Sequence, residues 1–241
     1  LMDGSQNTLR FMVPEGYTLK QIADRFAETG NGTAEDFLNE TQNGDFDFEY
    51  NDQMVDGEKR YEGFLYPDTY EIYKNESAHG IIQRMLTRFE QVYDAAADET
   101  TVDTSKYSVF DLVTVASLIE REVKLDEERP LVASVIYNRL NKNMKLQMCS
   151  TVQYALGTPK ARLMNSDLKI DSPYNTYQNA GLPAGPIASP GQASISAALH
   201  PADTDYLYFV LTSAGSGKHN FASTGDDFSS YREDYLASLT E

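Results

Sequence analysis

An α+β fold is what this sequence predicts, and three observations carry the prediction. Several stretches repeat apolar residues at helical spacing, short strand-like runs pair around turns, and the alternation of strand and helix that builds a parallel sheet is missing. The 241 residues suffice for a substantial core, and the sequence divides into a small unit over residues 1–58 and a larger one over 59–241.

Taken in order, TLRFMVP from Thr8 to Pro14 reads as a short strand, and Glu15-Gly16 turns the chain. Thr18 is placed to cap a helix with Leu19, Ile22, Ala23, Phe26 and Ala27 on its apolar side, closed by Gly30. Thr33 caps a second through Phe37 and Leu38. A strand followed by two helices is the outline of a LysM-like unit, and equally of an ordinary packing subdomain. The acidic, turn-rich residues 42–59 then form a loop or boundary. The aromatic run Tyr61–Tyr70 follows, holding Glu62, Tyr66 and Asp68. Acids beside exposed aromatics suit carbohydrate, although Pro67-Asp68 also reads as a plain turn.

Ser77–Ala97 predicts a long helix through Ile81, Ile82, Met85, Phe89 and Val92. Asp111–Val123 predicts the next, with Leu112, Val115, Ala116, Ile119 and Val123 as its buried stripe. At about 100° per residue, Glu120 and Glu122 fall on opposite borders of that stripe while Arg121 points away. A border carboxyl that loses hydration is favoured in its neutral form, and the negative end of a helix dipole adds to that effect; this is how a general acid is made. Solvent-side ion pairs with Arg121 or Lys124 fit the same phase. A further helix starts at Asp126 or Glu127, with Pro130 near its beginning and Val132, Val135, Ile136 and Leu140 inside. Gln147–Gly157 leads into a loop-rich region whose SPYNTYQNAGLPAGPIASPG segment carries no charge and, with Tyr174, Asn175 and Tyr177, reads as an ordered, ligand-facing loop. Gln192–Ala198 forms a short helix, Tyr206–Thr212 and His219–Ala222 a strand pair, and Ser229–Leu239 a last helix.

Composition narrows the function. Twenty basic against thirty-seven acidic residues leave a net charge of −17, which argues against nucleic acid as a partner. The single cysteine, Cys149, forms no internal disulfide, and three scattered histidines have no metal-ligand spacing, so neither metal nor cofactor is expected. No run of eighteen apolar residues predicts a membrane span, and LMDGSQNT at the start is no signal peptide.

Seven motifs, in order, resemble the endolytic murein transglycosylases (MltG, YceG-like). They are EGFLYPDTY, ASLIEREV, ERPLVASVIYNRL, MKLQ with STVQYALG, the uncharged SPYNTYQNAGLPAGPIASPG loop, AALHPADTDYLYFV and KHNFA, together spanning about Tyr61 to Ala222. The resemblance implies a lytic transglycosylase. In such an enzyme one glutamate protonates the glycosidic oxygen between N-acetylmuramic acid and N-acetylglucosamine within a strand, then takes the proton of the muramyl C6 hydroxyl, leaving a 1,6-anhydro end.

The motif places that glutamate at Glu122, with Glu120 supporting, and puts Gln147, Thr151, Tyr154, Asn175 and Tyr177 along the cleft beside Glu62, Tyr66 and Asp68. His219, in a segment similar to the family's His-x-Phe, either caps the cleft or pairs a strand. One departure is Cys149-Ser150, which stands where many members carry Asp-Pro. Implied partners are peptidoglycan strands, cell-wall synthases and division proteins. The family also implies a single N-terminal membrane helix outside this chain, which would leave these residues extracytoplasmic. The alternatives are a two-carboxylate muramidase using Glu122 with Glu62 or Asp68, a cysteine nucleophile pairing Cys149 with His200 or His219, and a non-catalytic glycan-binding scaffold.

Overall fold

A computed structural model describes residues 8–158, 160 and 162–239 of the chain. It is α+β, with eight α-helices and two small antiparallel strand pairs among the described residues.

Capping chemistry sets most helix starts. Thr18 opens α1 (Leu19–Ala27) and Thr33 opens α2 (Ala34–Asn43), each through a reciprocal capping box, with Gln21 and Asp36 as the third helical residues. Strand β1 (Thr8–Met12) pairs with β2 (Thr69–Tyr73), placing Leu9 opposite Ile72 and Phe11 opposite Tyr70. The aromatic run after residue 60 therefore ends in a strand that the sequence reading did not contain, and the β1–β2 pairing joins residues on both sides of position 58. Phe11 meets Phe26 edge-on, and Phe26 packs on Phe37 at 5.0 Å, so the apolar side of β1 rests on α1, which in turn packs on α2. Ser77 caps α3 (Ala78–Ala97), whose Phe89 packs against Phe64 of the aromatic run. Tyr61, Phe64, Leu65 and Tyr66 are buried, so this run is core and not an exposed sugar platform.

Helix α4 (Val109–Glu122) is the centre of the molecule. Leu112, Val113, Val115, Ala116, Leu118 and Ile119 are all 2% exposed or less, because α5 (Arg129–Asn141), α6 (Cys149–Leu156) and α7 (Gln192–Leu199) pack around it. The helix is apolar on nearly every side, not on a single stripe. Each of these leucine, isoleucine and valine side chains contributes about 1.5–3 kcal/mol of burial. Its two buried hydroxyls are paired internally: Thr114 donates to the Phe110 carbonyl at 2.8 Å, and Ser117 to the Thr114 carbonyl at 2.7 Å.

Ser117 Oγ also accepts the Ile187 N–H at 3.0 Å, pinning the uncharged loop to the helix. That loop is ordered as expected, yet its second half, residues 185–191, is buried against the core. It is a strap over α4, and only its first half reaches solvent. The strap also binds the first turn of the chain, through Gly16 N–H to Ser189 O at 2.9 Å and Ser189 N–H to Tyr17 O at 2.7 Å. Beyond it, β3 (Tyr208–Leu211) and β4 (His219–Ala222) form a hairpin covered by α8 (Gly225–Ser238), which starts four residues earlier than its apolar pattern suggests, under a Thr224 cap. No helix among the described residues is long and apolar enough to cross a membrane.

Candidate active site

Glu122 is the last residue of α4, where the buried helix emerges. It opens onto a groove of about 370 Å³. Lys124 shares the floor. Phe209, Val210 and Leu211 of β3 and His219 of β4 make one wall, Gly215 and Gly217 the hairpin turn, and Tyr235 of α8 the far side. No second carboxylate lines it among the described residues.

The other boundary of Glu122 is α6. Helix α6 has no side-chain cap of its own, and the Ser150 N–H in its first turn donates to Glu122 Oε1 at 3.3 Å. The sequence departure at Cys149-Ser150 supplies this donor, which a proline in that place lacks. Cys149 Sγ lies 3.2 Å from Tyr177 Oη. Loss of hydration raises the thiol pKa, and the charge of Glu122 raises it further, although the residue as a whole is exposed. Desolvation likewise pushes the Tyr177 phenol up, with Cys149 and Glu122 adding to the effect. Glu122, Cys149 and Tyr177 thus form one electrostatic neighbourhood.

Glu120 has a different fate from Glu122. Its Oε2 accepts from Ser194 Oγ at 2.8 Å and from the Gly191 N–H at 3.1 Å, and it pairs with Arg129 at 3.4 Å. Arg129, 8% exposed, also holds Asp126 at 3.0 Å and Ser194. Glu120 therefore ties α4 to α5 and α7, with its carboxylate engaged away from the groove. Arg121, on the outer face, reaches the Gly16 carbonyl at 3.0 Å.

The remaining predicted residues fall in three places. Glu62 is 4% exposed, accepts the Leu19 N–H at 2.8 Å and the Tyr154 hydroxyl at 2.8 Å, and faces Lys59, whose Nζ lies 4.3 Å from the ring centres of both Tyr154 and Tyr174. Burial pushes its pKa up to about 7, against the lowering effects of Tyr154, the Leu19 amide and Lys59. Tyr66 is buried under the Arg88 guanidinium, and Arg88 pairs with Asp68 at 3.1 Å. Thr151 and Asn175 are fully buried. Thr151 Oγ1 joins Thr176 Oγ1 at 2.9 Å, while Asn175 Nδ2 donates to the Leu168 and Ile170 carbonyls. They fold the loop that presents Tyr177 and do not themselves reach the groove. Gln147 is exposed, in a left-handed conformation with φ 53°, and its N–H is held by the Thr176 carbonyl. Among the predicted residues, His219 shares the groove with Glu122, and Tyr177 borders it through Cys149.

Sequence reasoning missed Lys124, Phe209 and Tyr235 as groove residues, and it missed Glu128, which binds His219. The apolar run YFVL marked a strand but not which of its residues face the groove, and nothing local marked the others. The histidines do not approach Cys149 through hydrogen bonds: His200 Nε2 meets the Ala96 carbonyl and His219 Nδ1 meets Glu128.

Comparison with known proteins adds a family. A model described as the YceG-like family matches residues 1–234. The endolytic murein transglycosylase of Bacillus subtilis (strain 168) is 39% identical over 240 residues, covering 95% of this chain and 66% of that protein. That of Streptococcus pneumoniae serotype 2 is 34% identical, covering 89% of this chain and 42% of its own. The chain thus spans just under two thirds of the first relative and less than half of the second. The crystal structure of a yceG-like protein from Listeria monocytogenes superposes with a TM-score of 0.78 at 38% identity, covering 92% of this chain and 75% of that one.

Proposed function

Because the chain belongs to the YceG-like family, we propose that it is an endolytic lytic transglycosylase acting on peptidoglycan, with Glu122 as its acid and base. The observation that carries this is the single carboxylate of the groove. Ordinary glycoside hydrolysis places two carboxylates about the scissile bond. Glu62 and Asp68, the available partners for such a mechanism, are occupied by Tyr154 with the Leu19 amide and by Arg88.

A lone carboxylate is sufficient when the substrate supplies its own nucleophile. Protonated Glu122 gives its proton to the glycosidic oxygen as the C1–O bond breaks. The carboxylate left behind then accepts the proton of the muramyl C6 hydroxyl, whose oxygen closes on C1. The acid is regenerated and no water is consumed. The Ser150 N–H supports the charged half of this cycle. The apolar wall of Phe209 and Leu211 reduces water's access to the cation at C1. Tyr177 and Gln147 extend the site toward the strand, and the β1–α1–α2–β2 order, whose last strand lies beyond residue 58, supports a LysM-like glycan-holding role for that first unit. In the same reading the chain works outside the cytoplasmic membrane, tethered through a helix outside this chain and near cell-wall synthases and division proteins.

The test is digestion of isolated sacculi followed by mass analysis of chain ends. The expected result is anhydro-muramyl ends inside the strands and a loss of about 10²–10⁴-fold for Glu122→Gln. Reducing ends would move the protein to the hydrolases. Full activity in Glu122→Gln with loss in Glu120→Gln would overturn the assignment, and binding without cleavage would leave a scaffold.

A further inference from the structure

Glu128 stands at the end of a 3-10 turn before α5, and both its carboxylate oxygens are engaged by one residue. Oε1 accepts the backbone N–H of His219 at 2.9 Å, and Oε2 lies 2.7 Å from His219 Nδ1. The two side chains are 5% and 8% exposed, and Phe209 meets the imidazole edge-on at 5.5 Å. An ionised carboxylate only accepts, so Nδ1 carries a proton whether the ring is neutral or charged. The working atom left over is Nε2.

That atom has no protein hydrogen-bond partner among the described residues, although the ring lines the groove beside Glu122. His200 offers an internal contrast. It too is part-buried, but its Nε2 meets the Ala96 carbonyl, as expected of a histidine whose role is to pack.

We propose that Glu128 is a positioning residue that fixes the rotamer and tautomer of His219, so that Nε2 contacts a hydroxyl of the sugar whose glycosidic bond Glu122 protonates. The proposal rests on the transglycosylase reading above. A sugar hydroxyl both donates and accepts, so it satisfies Nε2 in either charge state, and the aromatic side chains of Phe209 and Tyr235 line the same groove. A carboxylate that holds a histidine by its backbone N–H and by Nδ1 together fixes both the place and the orientation of the ring, which is how outer residues orient a working histidine.

The experiment compares His219→Gln, His219→Asn and Glu128→Gln with the parent protein, measuring kcat and KM on glycan strands alongside thermal melting. Glutamine places a polar atom near the position of Nε2, whereas asparagine reaches only that of Nδ1. The expected result is a loss of about 10–100-fold in kcat/KM for His219→Asn and for Glu128→Gln, with substantial recovery in His219→Gln. Parent-like kcat/KM in both histidine variants overturns the proposal. So does an equal loss in both that follows their melting temperatures, the mark of a packing role. The parent and Glu122→Gln run in parallel. If the parent does not cleave, calorimetric binding of a muramyl-glucosaminyl oligosaccharide decides: weakening in His219→Asn with recovery in His219→Gln supports the contact, and equal binding by parent and variants removes it.

Discussion

Glu62 is held by two hydrogen bonds inside the molecule, yet it sits where ionisation is unfavourable. Its folded-state pKa of about 7 lies above the ordinary 4.5 because burial outweighs the Tyr154 hydroxyl, the Leu19 amide and Lys59. The folded protein therefore binds this proton more tightly than the unfolded chain does. Its contribution to stability is full below pH 4.5 and disappears as the pH rises through 7, a swing of about 3 kcal/mol. Glu62→Gln removes the titration. Comparing urea midpoints of the two proteins at pH 5 and pH 8, we expect the parent to lose more stability than the variant over that interval; parallel curves would show that Glu62 does not titrate there. The comparison is differential because a net charge of −17 itself weakens the fold as pH rises. Local sequence carried little of this. Glu62, Glu120 and Glu122 look alike in a linear reading, and their roles diverge because Tyr154, Arg129 and the hairpin reach them from distant parts of the chain.

At the scale of elements, the sequence was informative wherever an element's signal was its own. Thr18, Thr33 and Ser77 announced their helices because a cap and an apolar repeat are local. Helix α6 carried neither, having no capping side chain of its own, and only Gly157, left-handed at φ 69°, marked its end. Strand β2 was hidden inside an aromatic run because its partner lies some sixty residues earlier. The strap shows the same dependence and gives a second test. Gly63 has φ +85°, and a Cβ there would stand 2.4 Å from Pro186 Cβ and 3.2 Å from Val113 Cγ1. An alanine meets a disfavoured backbone region, a strap that is pinned to Ser117, and the core helix at once. Gly63→Ala should cost about 3 kcal/mol, a fall in melting temperature on the order of 10 °C for a protein of this size. A melt within 2 °C of the parent, by roughly that scaling, would mean that the strap yields.

For the molecule as a whole, the question is whether the two units divided at residue 58 fold separately. Many contacts cross that division, among them His79 on Glu40, Phe46 on Tyr61 and the Val109 N–H on Gln53. Strand β2 has β1 as its sole partner among the described residues; Glu62 caps the first turn of α1; Ser189 exchanges hydrogen bonds with Gly16 and Tyr17; and Arg121 of α4 holds the Gly16 carbonyl. Removing residues 1–58 would leave Ile72 without Leu9, and would leave buried Glu62 with one hydrogen bond instead of two. A lone edge strand and an under-satisfied buried carboxylate each oppose folding. Apolar surface that now faces α1 and α2 would also be returned to water. We therefore expect a fragment of residues 59–241 to lose the cooperative thermal transition of the full chain and to bind a hydrophobic dye at temperatures where the full chain does not. A cooperative melt at the parent temperature would make the larger unit autonomous. It would also show that the first 58 residues are not needed to fold the groove, because Glu122, Ser150 and the hairpin all lie within the fragment.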